Sequence, residues 1–359
     1  MSQPTSPLLH PSFTLNSLSF ETIEELLAFA ADLVSDGHEY EASVGSFLQQ
    51  WFDGKDDIAL QTSGSTGKPK SIRMKKRALI NSAIATGTFF KIQEGKSALL
   101  CLSADYIAGK MMVVRALTLG WDLHVVAPTK DALVEYDNPY DFVAMVPLQV
   151  QHSLEAMNKV KKVIIGGAPI SASLEEALQD VDCEVFATYG MTETVSHIAI
   201  RRVNGLARSS IYSAVPGVTF SIDERDCLVI QAPGIAENKV ITNDMVSLLS
   251  STSFEFLGRV DHVINSGGIK VHPEQVENAL SQVIEEPFII TSEKDVSLGE
   301  KVILVIETNN ATLSNYAEAI AQLPSYERPK RVYSLSRFPR TETGKIKRKE
   351  ITAILKGYS

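Results

Sequence analysis

A short segment rich in glycine and hydroxyl side chains, residues 61–70, has the composition to hold a chain of phosphates. It reads Gln-Thr-Ser-Gly-Ser-Thr-Gly-Lys-Pro-Lys and directly follows an apolar run that predicts a β-strand. A polyphosphate needs closely approaching backbone N–H groups, hydroxyl donors and mobile positive charge. The residues that supply them are Thr62, Ser63, Gly64, Ser65, Thr66, Gly67, Lys68 and Lys70. The segment predicts a phosphate-binding loop, with an ordinary flexible loop as the alternative.

The spacing inside this loop disfavours a kinase or ATPase of the Walker type. That pattern has Ser or Thr directly after its Gly-Lys pair and more residues between its glycines, whereas Pro69 follows Lys68 here. We therefore do not expect transfer of a terminal phosphate with release of ADP.

Three more motifs follow the loop along the chain. Residues 189–194 read YGMTET, residues 258–277 read GRVDHVINSGGIKVHPEQVE and residues 339–348 read PRTETGKIKR. With TSGSTGKPK at 62–70, they resemble, in the same order, the signature motifs of the superfamily of acyl-CoA synthetases, peptide-synthetase adenylation domains and luciferases. The resemblance implies an enzyme that uses ATP and Mg²⁺ to form an acyl-adenylate from a carboxylic acid. It further implies transfer of the acyl group to coenzyme A.

The resemblance assigns roles to the side chains of the second motif. It implies that Tyr189, beside Gly190, stacks on adenine. It also implies that Thr192 donates a hydrogen bond to the α-phosphate and that Glu193 helps to hold Mg²⁺. A flat amphipathic ring, a neutral hydroxyl and a hard oxygen ligand suit these tasks. A core tyrosine and a solvated acid are the local alternatives.

Two other segments resemble the adenine and ribose contacts of the superfamily. The small residues that look like its adenine-side loop are Gly166, Gly167 and Ala168. The segment 242–244, Thr-Asn-Asp, stands where the superfamily commonly has Thr-Gly-Asp, so the resemblance implies that Asp244 accepts hydrogen bonds from both ribose hydroxyls. Asn243 departs from that pattern, but Asn tolerates left-handed backbone angles, so we expect a turn there. Arg259 resembles a second contact to ribose and phosphate.

The third motif contains the hinge position of the superfamily, Asp261. The resemblance implies that a small C-terminal domain rotates there between a conformation for adenylation and one for thioester formation. We therefore expect an N-terminal domain that binds nucleotide and acid at 1–257, a hinge at 258–261 and a mobile C-terminal domain at 262–359.

The resemblance also assigns roles to two groups of residues in the C-terminal part. Ser266, Gly267 and Gly268 would line a tunnel for pantetheine, because glycine lets the backbone approach a ligand. Lys345 matches a mobile lysine that bridges the substrate carboxylate and the α-phosphate and neutralises charge there. A solvated basic face at 345–349 is the local alternative.

A closer resemblance suggests the acid. YGMTETVSHIAIR at 189–201 and LSADYIAGKMMVVRAL at 102–117 look most like o-succinylbenzoate–CoA ligases of menaquinone biosynthesis. That acid carries two carboxylates: one is activated, and donors or a cation must hold the other. We expect Ser196, His197 and Lys110 to hold it, since two follow the nucleotide motif and one is a charge in an apolar helix. A satisfied buried histidine and a lysine that reaches the surface are the alternatives.

Two other functions remain open at this point. They are another aryl- or acyl-CoA synthetase and a nucleotide-binding homologue without catalysis, which intact Glu193 and Lys345 disfavour. Amino-acid activation is disfavoured, since no acidic residue is clearly placed for an α-amine and no carrier domain follows.

Composition limits the partners and the compartment. A formal net charge of −9 and a pI near 5.4 disfavour nucleic-acid binding. Three dispersed cysteines and an N-terminus without signal-peptide features favour a reducing compartment. The most apolar stretch, 97–127, is interrupted by charges, so no membrane helix is expected. We expect a cytoplasmic protein that binds no nucleic acid and no membrane; the sequence does not predict its oligomeric state.

The elements that must position these residues alternate between strands and helices from 58 to 188, as in a parallel sheet covered by helices. Short β-like pieces follow to 257, and strands and helices mix after 258. We predict an α/β protein: a large N-terminal domain with mostly parallel, helix-covered sheets and a β-rich subdomain, and a small mobile α+β C-terminal domain. Because only 61 residues precede the loop, we expect an N-terminal domain truncated relative to the superfamily.

The boundaries of these elements follow from periodicity and turn residues. The predicted strands of the first part are 58–61, 97–102, 123–127, 142–146, 160–165 and 184–188. The predicted helices there are 77–90, 109–119, 148–157 and 174–178. In the C-terminal part we predict a hairpin at 262–271, helices at 273–283 and 314–322, and strands at 301–307 and 330–335.

Overall fold

The computed structural model describes residues 9–61, 71–309, 312–341 and 346–356. Within these ranges a large mixed sheet carries helices on both faces, and a smaller sheet follows it along the chain. This architecture confirms the predicted α/β class. No helix in the part of the chain described here is long and apolar enough to cross a membrane.

The elements are numbered in chain order. The helices are α1 (Ile23–Ser35), α2 (Glu39–Trp51), α3 (Lys76–Phe90), α4 (Ile107–Leu119), α5 (Pro147–His152), α6 (Ala172–Ala177), α7 (Pro273–Leu280), α8 (Ala317–Ala321) and α9 (Arg348–Lys356). The strands are β1 (Thr14–Leu15), β2 (Leu18–Ser19), β3 (Asp57–Gln61), β4 (Ser71–Lys75), β5 (Ser97–Leu100), β6 (Asp122–Val125), β7 (Tyr140–Met145), β8 (Val160–Ile165), β9 (Glu184–Gly190), β10 (His197–Arg202), β11 (Ile211–Ala214), β12 (Thr219–Ile222), β13 (Cys227–Gln231), β14 (Val240–Ser250), β15 (Ser253–Arg259), β16 (Ile264–Ser266), β17 (Ile269–Val271), β18 (Phe288–Asp295), β19 (Gly299–Glu307) and β20 (Arg331–Leu335).

The large sheet has the strand order β12-β13-β14-β15-β11-β10-β9-β8-β7-β5-β6-β1-β2. From β1 through β6, β5, β7 and β8 to β9 the pairs are parallel. From β9 onward, through β10 and β11 to β12, they are antiparallel. The β-rich part therefore continues the edge of the parallel sheet, which brings β14 and β15 within reach of β9.

Alternate residues of the parallel strands enter two hydrophobic clusters. Ala98 and Leu100 of β5 pack in the cluster that contains the apolar residues of α3 and α4. Leu99, between them, packs in the opposite cluster with residues of α5 and α6. Burial of both faces explains why β5, β7 and β8 read as nearly continuous apolar runs.

The smaller sheet has the order β17-β16-β19-β18, with β20 parallel to β19. Helix α7 and the segment Ala317–Leu323 pack in one cluster of the sheet's apolar residues, whereas Ile351 and Leu355 of α9 pack in a second. Pro273 begins α7, since a missing N–H costs nothing in the first turn of a helix. Strand β18, helix α9 and the N-terminal helices α1 and α2 were not among the predicted elements.

The structure differs from the predicted elements at three places. Strand β3 pairs antiparallel with β4, so a strand that was not predicted lies between the expected phosphate loop and α3. The helix predicted at 148–157 is divided at Ser153 into α5 and a 3₁₀ helix, Leu154–Lys159. The predicted helix at 314–322 likewise begins as a 3₁₀ turn, Leu313–Tyr316.

An ion pair between a buried lysine and a solvent-accessible aspartate anchors the hairpin that flanks the expected phosphate loop. Lys76, at the start of α3 and 1% exposed, donates through Nζ to Asp53 Oδ1 at 2.6 Å. This hydrogen bond lowers the pKa of Asp53 from 3.8 to about 2. Because β4 runs directly into α3, the pair holds the exit of the loop against α2.

We predict that Asp53→Asn destabilises the protein by about 1 kcal/mol at pH 7, because it leaves the buried Lys76 ammonium without its counter-charge while solvent screens the exposed side of the pair. Urea unfolding followed by circular dichroism measures this change. The folded pKa of Asp53 lies below its unfolded value, so its contribution is present above pH 4 and is lost as the pH falls towards 2. The difference in free energy of unfolding between wild type and variant should therefore become smaller as the pH falls from 4 towards 2.

The exposed pair Lys75–Glu237, which neighbours this site, provides a matched control. Glu237→Gln should leave the urea midpoint unchanged, since solvent screens such pairs. Equal effects of the two substitutions would contradict the anchoring role of Lys76 and Asp53.

Candidate active site

Tyr189 lies at the carboxyl end of β9 with its ring held among other aromatic side chains. Its centroid is 5.9 Å from that of Tyr212, 5.1 Å from Phe254 and 6.4 Å from Phe256. Its hydroxyl donates to Asp244 Oδ2 at 2.5 Å. Burial and the negative charge of Asp244 raise the pKa of Tyr189, so the phenol stays protonated and acts as a donor.

Asp244 also belongs to a series of charged side chains that are joined by hydrogen bonds. Its second oxygen, Oδ1, accepts from Arg259 Nη1 at 3.1 Å. Arg259 also donates to both oxygens of Asp261, from Nε at 2.9 Å and from Nη2 at 3.2 Å. Burial acts to raise the pKa of Asp261, but the hydrogen bonds from Arg259 outweigh it and the pKa is lowered. Asp244, which is expected to bind ribose, is therefore connected through Arg259 to Asp261, the expected hinge residue.

The backbone around Asp244 differs from the expected turn. Asn243 lies within strand β14, and its φ is not positive. Its side-chain oxygen accepts from Arg225 Nη1 at 3.0 Å, while the Thr242 hydroxyl accepts from the Asp244 N–H at 3.0 Å. An extended strand paired with β15 places Asp244 directly opposite Arg259, so no left-handed residue is required.

The chain reverses sharply just after β9. Thr192 and Glu193 lie in a 3₁₀ turn, Thr192–Thr194, with the Glu193 side chain exposed. Val195 follows with φ +66° and ψ −55°, and the Ser196 N–H donates to the Thr194 carbonyl at 2.7 Å. This is a γ-turn of the positive-φ type, a strained conformation for a β-branched residue. The turn joins Thr192 and Glu193, expected at the phosphate and the metal, to Ser196 and His197, expected at the acid.

Two glycine-containing turns lie at the carboxyl ends of β8 and β9, where ligands of parallel sheets usually bind. A Cβ on Gly190 would lie 2.3 Å from the Ser196 carbonyl oxygen, so only glycine permits this approach. A Cβ on Gly166 would lie 2.8 Å from the Thr188 hydroxyl, and Gly167 has φ +84°. Ala168 follows, exposed. A side chain at Gly166 or Gly190 would therefore collide with β9 or with the turn that follows it.

Two of the three residues expected at the acid, Ser196 and His197, lie beside a residue that the sequence interpretation did not single out. Arg115 of α4, 2% exposed, donates from Nη2 to the Ser196 hydroxyl at 2.9 Å. Burial lowers the pKa of Arg115 to about 9, so it remains a cation at neutral pH. No carboxylate of the described residues forms an ion pair with it. A second charge in the apolar helix, five residues after Lys110, was the available signal.

His197 completes this group in its neutral form. Its Nε2 lies 3.1 Å from the hydroxyl of Thr86 on α3. Burial and the positive charge of Arg115 hold the pKa of His197 well below its usual value. The site therefore contains a single buried cation, a neutral imidazole and two hydroxyls.

Lys110 forms no hydrogen bond with Ser196 or His197 in the described structure. Its Nζ donates to the carbonyls of Ala104 and Asp105 and lies 5.5 Å from the ring centroid of Phe47. The side chain is buried, and burial lowers its pKa. Lys110 neither reaches the surface nor joins the group around Arg115, because its ammonium is held by the loop that precedes its own helix.

The remaining expected residues fall in the turn of the second sheet or outside the described ranges. Gly267 and Gly268 connect β16 to β17 with φ +59° and +83°, and a Cβ on Gly268 would meet no atom within 4 Å. The loop residues Thr62, Ser63, Gly64, Ser65, Thr66, Gly67, Lys68 and Lys70 lie outside the described residues. Lys345 does as well.

The donor set present suits a nucleotide with its metal. A flat ring beside a carboxylate fits a nucleoside, whose ribose hydroxyls are donors. In the described ranges no group of three His, Cys, Asp or Glu side chains is placed to hold a metal ion. The lone exposed carboxylate of Glu193 fits Mg²⁺, which binds through one or two carboxylates together with phosphates and waters.

Residues 24–234 match the model of the family described as AMP-binding enzyme. The chain is 25% identical over 355 residues to the 2-succinylbenzoate–CoA ligase of Escherichia coli (strain K12), covering 90% of this chain and 77% of that protein. Its identity to the 2-succinylbenzoate–CoA ligase of Enterococcus faecalis is 24% over 325 residues, with 80% and 67% covered.

Similar solved structures share the fold. The acyl-CoA synthetase (AMP-forming)/AMP-acid ligase II-like protein from Dyadobacter fermentans is 38% identical, with a TM-score of 0.61, over 89% of this chain and 95% of that chain. The o-succinylbenzoate CoA synthetase from Bacillus subtilis, in complex with its acyl-adenylate intermediate, is 20% identical with a TM-score of 0.71, over 83% and 69%. The Bacillus enzyme is also known in complex with ATP and a magnesium ion.

We predict that Tyr189→Phe raises the KM for ATP about tenfold with a smaller change in kcat. The variant keeps the ring but removes the donor to Asp244, and a hydrogen bond to a charged group contributes about 1.5–3 kcal/mol. Pyrophosphate release at varied ATP concentration measures the effect.

Deoxynucleotides distinguish the role of the Tyr189 hydroxyl in positioning Asp244 from the stacking of its ring on adenine. The preference of the wild type for ATP over 2′-deoxy-ATP and 3′-deoxy-ATP should shrink in Tyr189→Phe, because a misplaced Asp244 no longer distinguishes the sugars. Tyr189→Leu, which also loses the ring, should weaken binding of all three nucleotides further. An equal loss for all three in the Phe variant would argue against the positioning of Asp244 by the hydroxyl.

Proposed function

The chain belongs to the AMP-binding enzyme family, and from this we propose that it is an AMP-forming acid–CoA ligase for an aromatic acid with two carboxylates, of the 2-succinylbenzoate class. In the first step a carboxylate oxygen of the acid attacks the α-phosphorus of ATP and pyrophosphate leaves. In the second step the thiol sulfur of coenzyme A attacks the acyl carbon, the thiol proton is lost and AMP leaves. Bound Mg²⁺ neutralises charge on the phosphates.

The nucleotide is proposed to bind at the carboxyl ends of β8 and β9. Tyr189 stacks on adenine, Asp244 accepts hydrogen bonds from the ribose, and Arg259 contacts ribose and phosphate. Both Asp244 oxygens keep acceptor capacity in addition to their bonds with Tyr189 and Arg259, because a carboxylate has about four lone-pair sites. Thr192 contacts the α-phosphate and Glu193 the metal.

The observation that carries the substrate class is the buried Arg115, which has no carboxylate partner in the part of the chain that the structure describes. An uncompensated buried cation is costly, and a ligand carboxylate removes that cost when it binds. Arginine presents a planar fork of donors that suits a carboxylate. Among the described residues, the acceptor seen for Nη1 of Arg115 is the Met112 sulfur, at 3.6 Å. We therefore assign the second carboxylate of the acid to Arg115, with Ser196 and His197 beside it.

This assignment replaces Lys110 as the cation of the acid site. The ammonium of Lys110 is taken up by two backbone carbonyls, whereas Arg115 faces the hydroxyl of Ser196. The names of the relatives described above support the same class of acid.

The C-terminal part is proposed to complete the two half-reactions. The domain bounds 1–257 and 262–359, with a hinge at 258–261, remain proposals. They are supported by the direct contact between Arg259 and Asp261 and by the start of the second sheet at Ile264. Lys345 is proposed to neutralise the charge that develops at the α-phosphate, and Gly267 and Gly268 to admit pantetheine.

A cytoplasmic location is part of the proposal. Cys101, Cys183 and Cys227 are buried and form no disulfide among the described residues, which suits a reducing compartment.

The function is tested with purified protein, ATP, Mg²⁺, coenzyme A and a panel of carboxylic acids that includes 2-succinylbenzoate. We expect AMP, pyrophosphate and an acyl-CoA thioester, detected by chromatography, with that diacid as the best substrate. Formation of ADP would contradict adenylation. Acid-independent nucleotide binding without pyrophosphate exchange would instead support a non-catalytic homologue, and a monoacid as best substrate would support another acyl-CoA synthetase.

We predict that Arg115→Leu raises the KM for 2-succinylbenzoate at least about a hundredfold, because charge-assisted hydrogen bonds contribute about 1.5–3 kcal/mol each. Two monoacid analogues, each lacking one of the two carboxylates, identify the group that Arg115 binds. The analogue that retains only the activated carboxylate should be used almost equally by wild type and variant. Arg115→Lys, which keeps the charge and loses the fork, should be intermediate; an equal loss with every acid would contradict the assignment.

A further inference from the structure

The hydroxyl of Thr86 forms the centre of the buried polar group beside the acid site. Thr86 lies on α3 and is 1% exposed, whereas Arg115 comes from α4 and His197 from β10. Its oxygen lies 3.1 Å from His197 Nε2 and accepts from Arg115 Nε at 3.4 Å. No other side chain in the described part of the chain is seen to contact both of these residues through one polar atom.

We propose that Thr86 is a positioning residue of the acid site: its hydroxyl sets the proton of His197 on Nε2 and orients the guanidinium of Arg115. The identity of the ligand in this inference rests on the proposed function, whereas the proton position does not.

The proton position follows from counting donors. A hydroxyl has one proton to donate and two lone pairs to accept with. Thr86 donates to the carbonyl of Ser82, one helical turn earlier, at 2.9 Å. Arg115 Nε carries only a donor, so it takes one lone pair. His197 must then donate from Nε2 to the other, and its Nδ1 is left as an acceptor.

The neutral form of His197 makes this arrangement specific. A protonated ring would donate from both nitrogens and would place a second positive charge beside Arg115. The neutral ring bound to Thr86 offers one donor and one acceptor. The acid site then has Arg115 as its cation for a carboxylate, and the Nδ1 lone pair disfavours a second anion at His197.

The orientation of Arg115 depends on the same hydroxyl. Its three nitrogens contact Thr86, Met112 and Ser196. The Met112 sulfur is a weak acceptor, so the two hydroxyls define the plane of the guanidinium. Removing one of them leaves the fork free to rotate about its long side chain.

The first test measures the proton directly. Two-bond ¹H–¹⁵N correlation spectra of protein with labelled histidine distinguish the two neutral tautomers, and His197→Gln assigns the resonance of His197. At pH 7 we expect a neutral ring with the proton on Nε2 in the wild type, and a changed or mixed tautomer in Thr86→Val. A proton on Nδ1, or a doubly protonated ring, in the wild type would overturn the inference.

The second test measures the acid site. Thr86→Val, which keeps the shape and removes the hydroxyl, should raise the KM for the diacid about tenfold, or about 1.4 kcal/mol. The kcat and the KM for ATP should change less than about threefold, since a positioning role acts on the acid. Thr86→Ser should restore the diacid KM to within about twofold of wild type.

Thr88 on the same helix provides the matched control, because its side chain is exposed. Thr88→Val should behave as wild type in both tests. If Thr86→Val weakens every substrate equally, or if Ser does not rescue it, Thr86 has a structural role only and the inference fails. If the wild type uses a monoacid instead, the proposed function fails, while the tautomer measurement still decides the role of Thr86.

Discussion

The carboxylate of Asp244 is the contact on which the arrangement of the site depends. One oxygen holds the hydroxyl of Tyr189, and the other holds Arg259, which in turn binds Asp261. This chain exists because the antiparallel strands continue the edge of the parallel sheet, so that β14 and β15 lie near β9. A β-subdomain that was not part of the same sheet would not by itself have placed Asp244 within hydrogen-bonding distance of Tyr189. The carboxylate proposed to bind ribose and the backbone at residues 258–261 are thereby physically connected.

A second constraint is the strained turn at Val195. It reverses the chain between Glu193 and Ser196, so that residues expected at the metal and at the acid are neighbours in sequence yet lie on opposite sides of the turn. A β-branched residue with positive φ is unfavourable by itself. Burial of Val195 and the hydrogen bonds of Thr194 hold it in place. The strain is thus offset by the core directly beneath the site.

Two cations of α4 show that residue type alone does not determine which partners a buried charge finds. Lys110 and Arg115 are both buried charges in an apolar helix, separated by about 140° around its axis. The face of Lys110 meets the carbonyls of residues 104 and 105, which satisfy it. The face of Arg115 meets hydroxyls and a sulfur, which leave its charge uncompensated. Because α4 is buried on nearly all sides, its hydrophobic pattern contains no signal that separates the two.

The order of the four motifs and the alternation of strands and helices could be read along the chain, and so could the residue types expected for nucleotide, metal and acid. Those features depend on spacing and on local turn chemistry, which neighbouring residues set. The pairing of β3 with β4, the strand at Asn243 and the choice of Arg115 over Lys110 could not. Tyr189 meets Asp244 across 55 residues and Arg115 meets Ser196 across 81. Such contacts are decided when sheets and helices pack, because packing determines which groups each buried charge meets.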